Sequence, residues 1–265
     1  RFLKKVKKLV DDNKGRLVRS KIDFRKLNMR SQYFIGLVHR TIRTVTCDID
    51  EFRFNFAVGS IMNLVSETRK FSLLKKDDAV LTEAIHAIIR LLAPFAPHLS
   101  EDLWMTVGGK GLVCVSRWPQ VNKAYLDLRV EMMDLFVRDV VDDSRRIIQL
   151  IGREPVSVNI YVAPSWKHTV YNIARGKPEN LMKAVMADDK VRKKGPEASR
   201  YAQSLMKRPV LEEVLDAESE YSALETSCDV ISEELGCRVS ILKAEDSDSE
   251  KAKRAEPGKP GIEIT

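Results

Sequence analysis

The sequence predicts an α-helical bundle followed by a small α/β (α+β) domain. Apolar residues recur at three-and-four spacing through most of the first 150 residues, which is typical of amphipathic helices packed on one another. In 156–162 apolar and polar residues alternate instead, as in a half-buried strand, and 238–244 forms a second run of this kind. We therefore predict a bundle over 1–152 and a second domain over 153–265.

Successive apolar stripes, separated by caps and breakers, define the helices of the bundle. Asn13-Lys14-Gly15 ends the first stripe, and Asp77 or Asp78 begins the fourth. Pro94 ends the fourth helix because proline lacks an amide donor and restricts the residue before it. We predict helices over 1–12, about 28–46, from Phe54, over 77–92, briefly after Pro97 and over about 123–151, with an extended segment at 112–118.

The second domain begins with the alternating strand and continues with shorter helices. Gly236 is a C-terminal stop for a helix, and a charged, breaker-rich segment at about 245–258 is expected to be mobile. Ile262-Glu263-Ile264 is a candidate third strand. We predict helices near 165–175, 178–188, 196–207, 209–216 and 219–235, and strands over 156–162 and 238–244.

The composition excludes several classes of protein. No apolar run approaches the roughly 20 residues that a membrane-spanning helix needs, and no signal-peptide pattern opens the chain. No glycine-rich phosphate loop, GxSxG or HExxH occurs, so no catalytic centre is evident. The scattered histidines and cysteines give no metal site, and the cysteines indicate buried, reduced thiols in a cytoplasmic protein. Since the chain begins without Met, we expect it to be a fragment.

Basic charge is concentrated early in the chain. The net charge is +7, with 27 basic and 18 acidic residues in 1–150 but 18 and 20 in 151–265. The first 43 residues alone contain 14 basic and 3 acidic residues. Such asymmetry favours a polyanionic partner, although solvated helix faces give the same composition.

A second basic run lies in 190–208, where Glu197 is the single acidic residue. Gly195-Pro196 marks a turn, and a helix beginning there exposes backbone donors to a phosphate. We interpret the run either as a contact with an RNA backbone or as a solvated charged loop, with equal weight on composition alone. Tyr201 is either a base-stacking residue or, by its helical spacing with Leu205, a core residue.

The stretch LLAPFAPHLSEDLW, 91–104, forms a corner between two helices. Together with a glycine turn and Arg117-Trp118-Pro119, it resembles the anticodon-binding-type bundle of class I aminoacyl-tRNA synthetases for leucine, isoleucine and valine. FNFAVGSIMNLVSETRKF, upstream, looks like the preceding helix of that bundle. One departure is Asp23-Phe24-Arg25, where the family usually has a DRW-type start of the second helix. We expect the corner to be architectural, with Phe95 and Trp104 buried and His98 capping or buried.

Two later stretches restrict the resemblance to the synthetases for a single amino acid. LMKAVMADDKVRKKGPEASRYAQSLMKR and the terminal PGKPGIEIT look like the C-terminal domain of leucyl-tRNA synthetases of the archaeal and eukaryotic cytosolic type. The resemblance implies a parent enzyme that attaches leucine to tRNA(Leu) with ATP and Mg²⁺. The HIGH-like and KMSKS-like motifs and the editing insertion do not occur here. The resemblance therefore implies a tRNA-binding portion that holds no cofactor and is inactive alone.

The resemblance also implies which residues contact tRNA. The partner is the tRNA body and its long variable arm, with a further contact to the catalytic domain of the same parent chain. The candidates for phosphate contacts are Lys190, Arg192, Lys193, Lys194, Arg200, Lys207 and Arg208, and those near the tip of the arm are Ile262, Glu263 and Ile264. Pro94, Phe95, Pro97, His98 and Trp104 form the structural motif. Deleting the chain from about Pro257 should then leave folding intact and weaken tRNA binding.

Two other functions remain open at this point. One is the equivalent portion of an isoleucyl- or valyl-tRNA synthetase, which would read the anticodon through the bundle. The other is a non-enzymatic helical module whose charged faces bind a partner protein. Competition between purified tRNAs distinguishes the first, and loss of RNA binding with retention of a protein partner would favour the second.

Overall fold

The computed structural model describes residues 1–75, 77–208 and 210–265. It divides into two compact units, Arg1–Val130 and Glu131–Thr265. The division falls in the first turn of a long helix, so most of that helix belongs to the second unit. The change of periodicity had placed the boundary later, after 152.

The first unit is helical, as predicted. Asn28 begins its longest helix by accepting a hydrogen bond from the Ser31 amide at 3.0 Å, and the Ser31 hydroxyl bonds Asp77. These contacts hold the start of one helix beside the start of another. The helices are α1 (Phe2–Asn13), α2 (Met29–Asp50), α3 (Phe54–Leu73), α4 (Asp78–Leu92) and α5 (Pro97–Thr106), with α6 (Leu128–Ile151) crossing into the second unit.

The core of the first unit forms around α4. Ten of the fifteen α4 residues are buried, because this helix packs against α2, α3 and α5. Ile35, Ile61, Leu81 and Ile88 are among the fully buried side chains that fill the space between these helices. The apolar stripes read from the sequence are therefore the packed faces, and their burial supplies most of the stabilisation of the bundle.

The predicted corner is present between α4 and α5. The amides of Phe95 and Ala96 both bond the Leu92 carbonyl, at 3.0 and 2.9 Å, and Pro97 then begins α5. Burial differs from the prediction: Phe95 and Trp104 are half-buried against the core, whereas Pro94, Pro97 and His98 are exposed. His98 is therefore neither buried nor a side-chain cap of α5. Within the stretch 91–104, the fully buried residues are Leu91, Leu92, Ser100 and Leu103.

Two segments after the corner were predicted wrongly. The extended segment at 112–118 contains a 3-10 turn, Val113–Val115, because the Glu101 carboxylate accepts the amides of Val113 and Cys114 at 2.7 and 3.2 Å. The long helix begins at Leu128 rather than near 123. Asp127 accepts the Arg129 amide at 2.9 Å and so defines a new helix start.

The second unit contains a three-stranded sheet in the order β2-β1-β3. The strands are β1 (Ser157–Val162), β2 (Arg238–Lys243) and β3 (Gly261–Ile264), as the sequence predicted. β1 pairs in parallel with β2, with Ile160 opposite Ile241, and antiparallel with β3, with Ile160 opposite Ile262. The parallel pair requires a long crossover, which the intervening helices provide.

Helices of the second unit mostly lie where they were predicted. They are α7 (Ser165–Arg175), α8 (Leu181–Met186), α9 (Asp189–Arg192), α10 (Gly195–Met206), α11 (Ala217–Leu235) and α12 (Glu250–Arg254). A helix at 209–216 was also predicted, but 210–216 is irregular, and Pro209 lies outside the described residues. The sequence did not predict α9.

The segment at 245–258, which was predicted to be mobile, contains regular structure. It contains α12 and a bridge between Glu256 and Lys259, and it buries Ala252 and Ala255. Since β3 follows it and pairs with β1, removing the chain from Pro257 would take a strand out of the sheet. The structure therefore predicts that this deletion destabilises the sheet, in place of the expectation that it leaves folding intact.

Two further findings concern the whole of the described chain. No helix in 1–75, 77–208 or 210–265 is long and apolar enough to cross a membrane. The four cysteines are free, but Cys47 and Cys114 are exposed and Cys228 and Cys237 are half-buried. The prediction of buried thiols is therefore wrong.

Candidate nucleic-acid interface

The basic run 190–208 lies on the outer side of a small apolar core. Val191, Ala198, Ala202 and Leu205 are buried in this core, together with residues of α7 and α8. Because these side chains face inward at helical spacing, the cations between them must face solvent. The same apolar spacing therefore both folds α9 and α10 and places the charges outside.

Capping determines where the run turns. The Asp188 carboxylate accepts the amides of Lys190 and Val191 at 2.9 and 3.1 Å, which begins α9. Gly195 then has a φ of +43°, a left-handed conformation that glycine adopts with little strain. The N-terminus of α10 has no side-chain cap, and Glu197 lies in its first turn. That carboxylate competes with any phosphate for the positive end of the helix.

The structure exposes all seven predicted cations: Lys190, Arg192, Lys193, Lys194, Arg200, Lys207 and Arg208. Two of them have acidic partners: Arg192 pairs with Asp189 at 2.7 Å and Arg208 with Glu256 at 2.6 Å. The hydrogen bond to Glu256 raises the pKa of Arg208. Within the described parts of the chain, the other five cations form no ion pair. They form a surface without charge compensation, which favours a polyanionic ligand.

Tyr201 belongs to the core and not to the interface. Its ring packs edge-on against Trp166, with ring centroids 5.9 Å apart. Its hydroxyl is buried without a hydrogen-bond partner in the described residues, and this burial raises the pKa of Tyr201 well above its ordinary value. Of the two interpretations of Tyr201, base stacking is therefore excluded for this conformation.

Lys167 contacts the core beneath this basic run, and no sequence pattern indicated this role. Its Nζ donates to the carbonyls of Lys253 and Ala255 at 2.8 and 2.7 Å, and it lies 5.7 Å from the centroids of the Trp166 and Tyr201 rings. Burial lowers the pKa of Lys167. This lysine therefore joins α7 to the end of α12 and is not available to a ligand.

The three terminal candidates lie on β3, at one edge of the sheet. The Ile262 side chain is buried and that of Ile264 is half-buried. The Glu263 carboxylate accepts the Tyr161 hydroxyl at 2.6 Å and the Ser249 hydroxyl at 3.0 Å, and these bonds lower its pKa. The side chains therefore have structural roles, so that a ligand would meet the backbone of β3.

The pairing pattern shows which backbone groups of β3 are free to meet a ligand. Ser157 and Thr265 exchange two hydrogen bonds, at 3.1 and 2.9 Å. In an antiparallel pair such residues alternate with residues whose amide and carbonyl point away from the partner strand. Ile262 and Ile264 are those residues, so their backbone groups face outward along the edge.

A buried polar pair in the second unit was also missed by the sequence analysis. Glu220 is fully buried on α11, and its Oε1 accepts the Gly258 amide at 2.7 Å. His168 Nδ1 donates to the Leu215 carbonyl at 3.0 Å, and His168 Nε2 lies 3.5 Å from Glu220 Oε2. Burial raises the pKa of Glu220 to about 8 and lowers that of His168. Both groups are therefore uncharged at neutral pH.

The first unit presents a separate basic surface on α1. Lys4, Lys5 and Lys8 are exposed, whereas Lys7 pairs with Asp102 at 2.7 Å. Arg16 pairs with Asp78 at 2.6 Å and joins the end of α1 to the start of α4. Among the described residues, no three His, Cys, Asp or Glu side chains lie together as metal ligands.

Comparisons with known proteins show the family to which the chain belongs. Residues 31–170 match the family described as the anticodon-binding domain of tRNA ligase. The chain is 30% identical over 90% of its length to the leucine–tRNA ligase of Halobacterium salinarum and 31% identical over 90% to that of Pyrococcus abyssi. The enzyme of Methanothermobacter thermautotrophicus is 32% identical over 87% of this chain. The resemblance to leucyl-tRNA synthetases is thus confirmed.

The chain spans only 27%, 25% and 26% of these three relatives, about a quarter of their length. A solved complex of Agrobacterium radiobacter leucyl-tRNA synthetase with tRNA covers 74% of this chain at 22% identity, with a TM-score of 0.45. That likeness is too distant to support an argument about this fold.

Proposed function

Because the chain belongs to the anticodon-binding domain family of tRNA ligases, we propose that it binds tRNA as the C-terminal portion of a leucine–tRNA ligase. The observation that carries the proposal is the exposed run of cations on α9 and α10, most of them without an acidic partner in the described chain. Lysine and arginine side chains that neutralise phosphates release counterions and so provide affinity without reading sequence.

The amino acid that the parent enzyme attaches, leucine, is inferred from the relatives that the chain resembles. Leucine–tRNA ligases of three archaea are similar to nearly all of this chain, including its second unit. The parent enzyme would attach leucine to tRNA(Leu) in the cytoplasm, with ATP and Mg²⁺ bound by a catalytic portion outside this sequence. This portion alone would bind no cofactor and form no leucyl-adenylate, since its sequence has no HIGH-like or KMSKS-like motif.

Three surfaces of the chain would contact the tRNA, besides any contact with the catalytic portion. The lysines of α1 would lie along the tRNA body, and the cations of α9 and α10 would bind phosphates near the long variable arm. The outward backbone groups of Ile262 and Ile264 would meet unpaired bases at the tip of that arm. Arg208 would contribute least, because Glu256 already occupies its guanidinium.

Neutralising Lys193 and Lys194 together by substitution with Gln tests the proposal. If both bind phosphates, the slope of log affinity against log salt for tRNA(Leu) should become shallower by about 1.4 to 1.8. Filter binding between low and moderate salt measures this slope. Lys251→Gln with Lys253→Gln is the matched control, because it removes two exposed lysines of α12 outside the surface. An unchanged slope in the Lys193/Lys194 variant would mean that this run is only solvated.

A further inference from the structure

A cavity of about 210 Å³ lies beside the corner of the first unit. Ala93 and Pro94 of the corner form one side, and Cys114, Ser116 and Trp118 form the other. The volume is below the 300–1,000 Å³ of pockets for drug-sized ligands, so the cavity suits a single planar ring system.

Arg90, on the last turn of α4, brings charge into this cavity. Its Nε donates to the His86 carbonyl at 3.1 Å and its Nη1 to the Arg117 carbonyl at a longer 3.4 Å. Burial lowers the pKa of Arg90, and the Glu83 carboxylate offsets part of this effect from beyond ion-pair distance, so that no carboxylate of the described residues pairs with it directly. A half-buried guanidinium without an anion has donors left for a ligand that presents acceptors.

Glu101, an acidic residue that contacts the 113–115 side of the cavity, already accepts hydrogen bonds from the backbone. Glu101 accepts the amides of Val113 and Cys114 at 2.7 and 3.2 Å, and these bonds hold the 113–115 turn in place. They lower the pKa of Glu101, which stays ionised without pairing with Arg90. The cavity lining itself includes one cation and no anion.

The apolar walls of the cavity are held in place by the fold. Trp118 Nε1 donates to the Thr46 hydroxyl at 2.9 Å, which fixes the indole against α2. Pro94 is a rigid, exposed residue that lines the cavity. An aromatic ring, a proline and a guanidinium fork are the groups that proteins use to hold an unpaired base.

We propose that this cavity binds one unpaired guanine base of the RNA. Guanine presents O6 and N7 side by side, and the arginine fork donates to both, whereas adenine and uracil offer no such pair of acceptors. Unpaired cytosine also has two adjacent acceptors, O2 and N3, but its single ring stacks over less of the Trp118 indole than a purine does, so cytidine monophosphate is the discriminating control. The inference rests on the proposed function, because it takes its RNA from that proposal. It adds a base-specific contact to a surface otherwise governed by phosphates.

The test uses the whole 265-residue chain and guanosine 5′-monophosphate as the probe. We expect it to shift the Trp118 indole N–H and the Cys114 and Ser116 amides in ¹H–¹⁵N spectra, at millimolar concentration. Adenosine, cytidine and uridine monophosphates and inorganic phosphate should shift them far less. Ala93→Leu should remove the response by filling the cavity. Ala187→Leu is the control, because Ala187 also follows a helix in a right-handed conformation but is exposed elsewhere.

The variant should also weaken tRNA binding by about 5- to 100-fold, the range of one lost stacking contact. The proposal is overturned if all four nucleotides or phosphate alone give the same shifts, if Ala93→Leu retains them, or if acetate gives them and guanosine monophosphate does not. Binding of tRNA without a nucleotide response would reject the cavity and leave the proposed function intact. Nucleotide binding without tRNA binding would reject the proposed function alone.

Discussion

Removing residues 257–265 is expected to unfold the sheet of the second unit. The deletion takes away β3, which pairs with the central strand β1. Its loss exposes to solvent the part of the core that the buried Ile262 side chain covers. It also removes the Gly258 amide, the partner of the buried Glu220 carboxyl group. Burial of an isoleucine is worth about 1.5–3 kcal/mol and a buried polar group left unpaired costs about 1–3 kcal/mol. We therefore expect a loss of about 2.5–6 kcal/mol.

Amide hydrogen exchange in β1 measures this loss directly. Each 1.4 kcal/mol is tenfold in an opening equilibrium, so protection of 157–162 should fall by about 60-fold or more. Lys259→Ala is the control, because this side chain is exposed in the turn before β3. Undiminished protection in the truncated chain would show that β3 contributes nothing to the sheet.

A single substitution distinguishes a tRNA contact made by residues 257–265 from the contribution of these residues to folding. The Ile264 amide points away from β1, so Ile264→Pro removes an outward donor and leaves the ladder to β1 intact. Weaker tRNA binding with normal β1 protection would support a backbone contact to RNA. Ile264→Val retains the amide and should bind as the natural sequence does.

The second unit is expected to lose stability as the pH rises from 6.5 to 8. Burial raises the pKa of Glu220 to about 8, above the ordinary 4.5, so the folded state holds a proton that the unfolded state has released. Stability therefore falls with rising pH between these two values. Below 6.5 His168 contributes the opposite slope, because its folded pKa is lowered and the unfolded imidazole binds the proton. Above 6.5 the His168 contribution fades and the Glu220 effect dominates.

The expected loss over that interval is about 2 kcal/mol, since one pKa unit corresponds to 1.36 kcal/mol. Exchange of the β1 and α11 amides, corrected for intrinsic rates, follows it. Glu220→Gln keeps an acceptor for Gly258 and cannot ionise, so its profile should be flat. Glu233→Gln, at an exposed position of the same helix, should retain the slope. A flat profile in the natural sequence would show that Glu220 is ionised throughout.

Periodicity predicted the parts of the fold that bury whole faces. The stripes of α2 and α4 are long, and the alternation in β1 is regular, so one face of each had to be buried. Local side-chain competition explains the failures. Asp127 captures an amide and begins α6 late, and Glu101 converts an apolar run into a turn. Asp127 was a readable cap signal, whereas Glu101 acts from twelve residues away.

The candidate interface was predictable in position but not in detail. Charge density and helical spacing indicated that the cations of 190–208 are exposed. The pairing of Arg208 with Glu256 spans 48 residues, and no local pattern encodes it. The Glu220–His168 pair and the Arg90 cavity likewise arise only when distant segments pack together.

Competition between purified tRNAs tests the central claim most directly. The chain should bind tRNA(Leu), with its long variable arm, in preference to tRNA(Ile) and tRNA(Val), with affinity that falls steeply as salt is raised. It should form no leucyl-adenylate from leucine and ATP. Equal affinity for the three tRNAs, or no binding to tRNA(Leu) even at low salt, would contradict the claim.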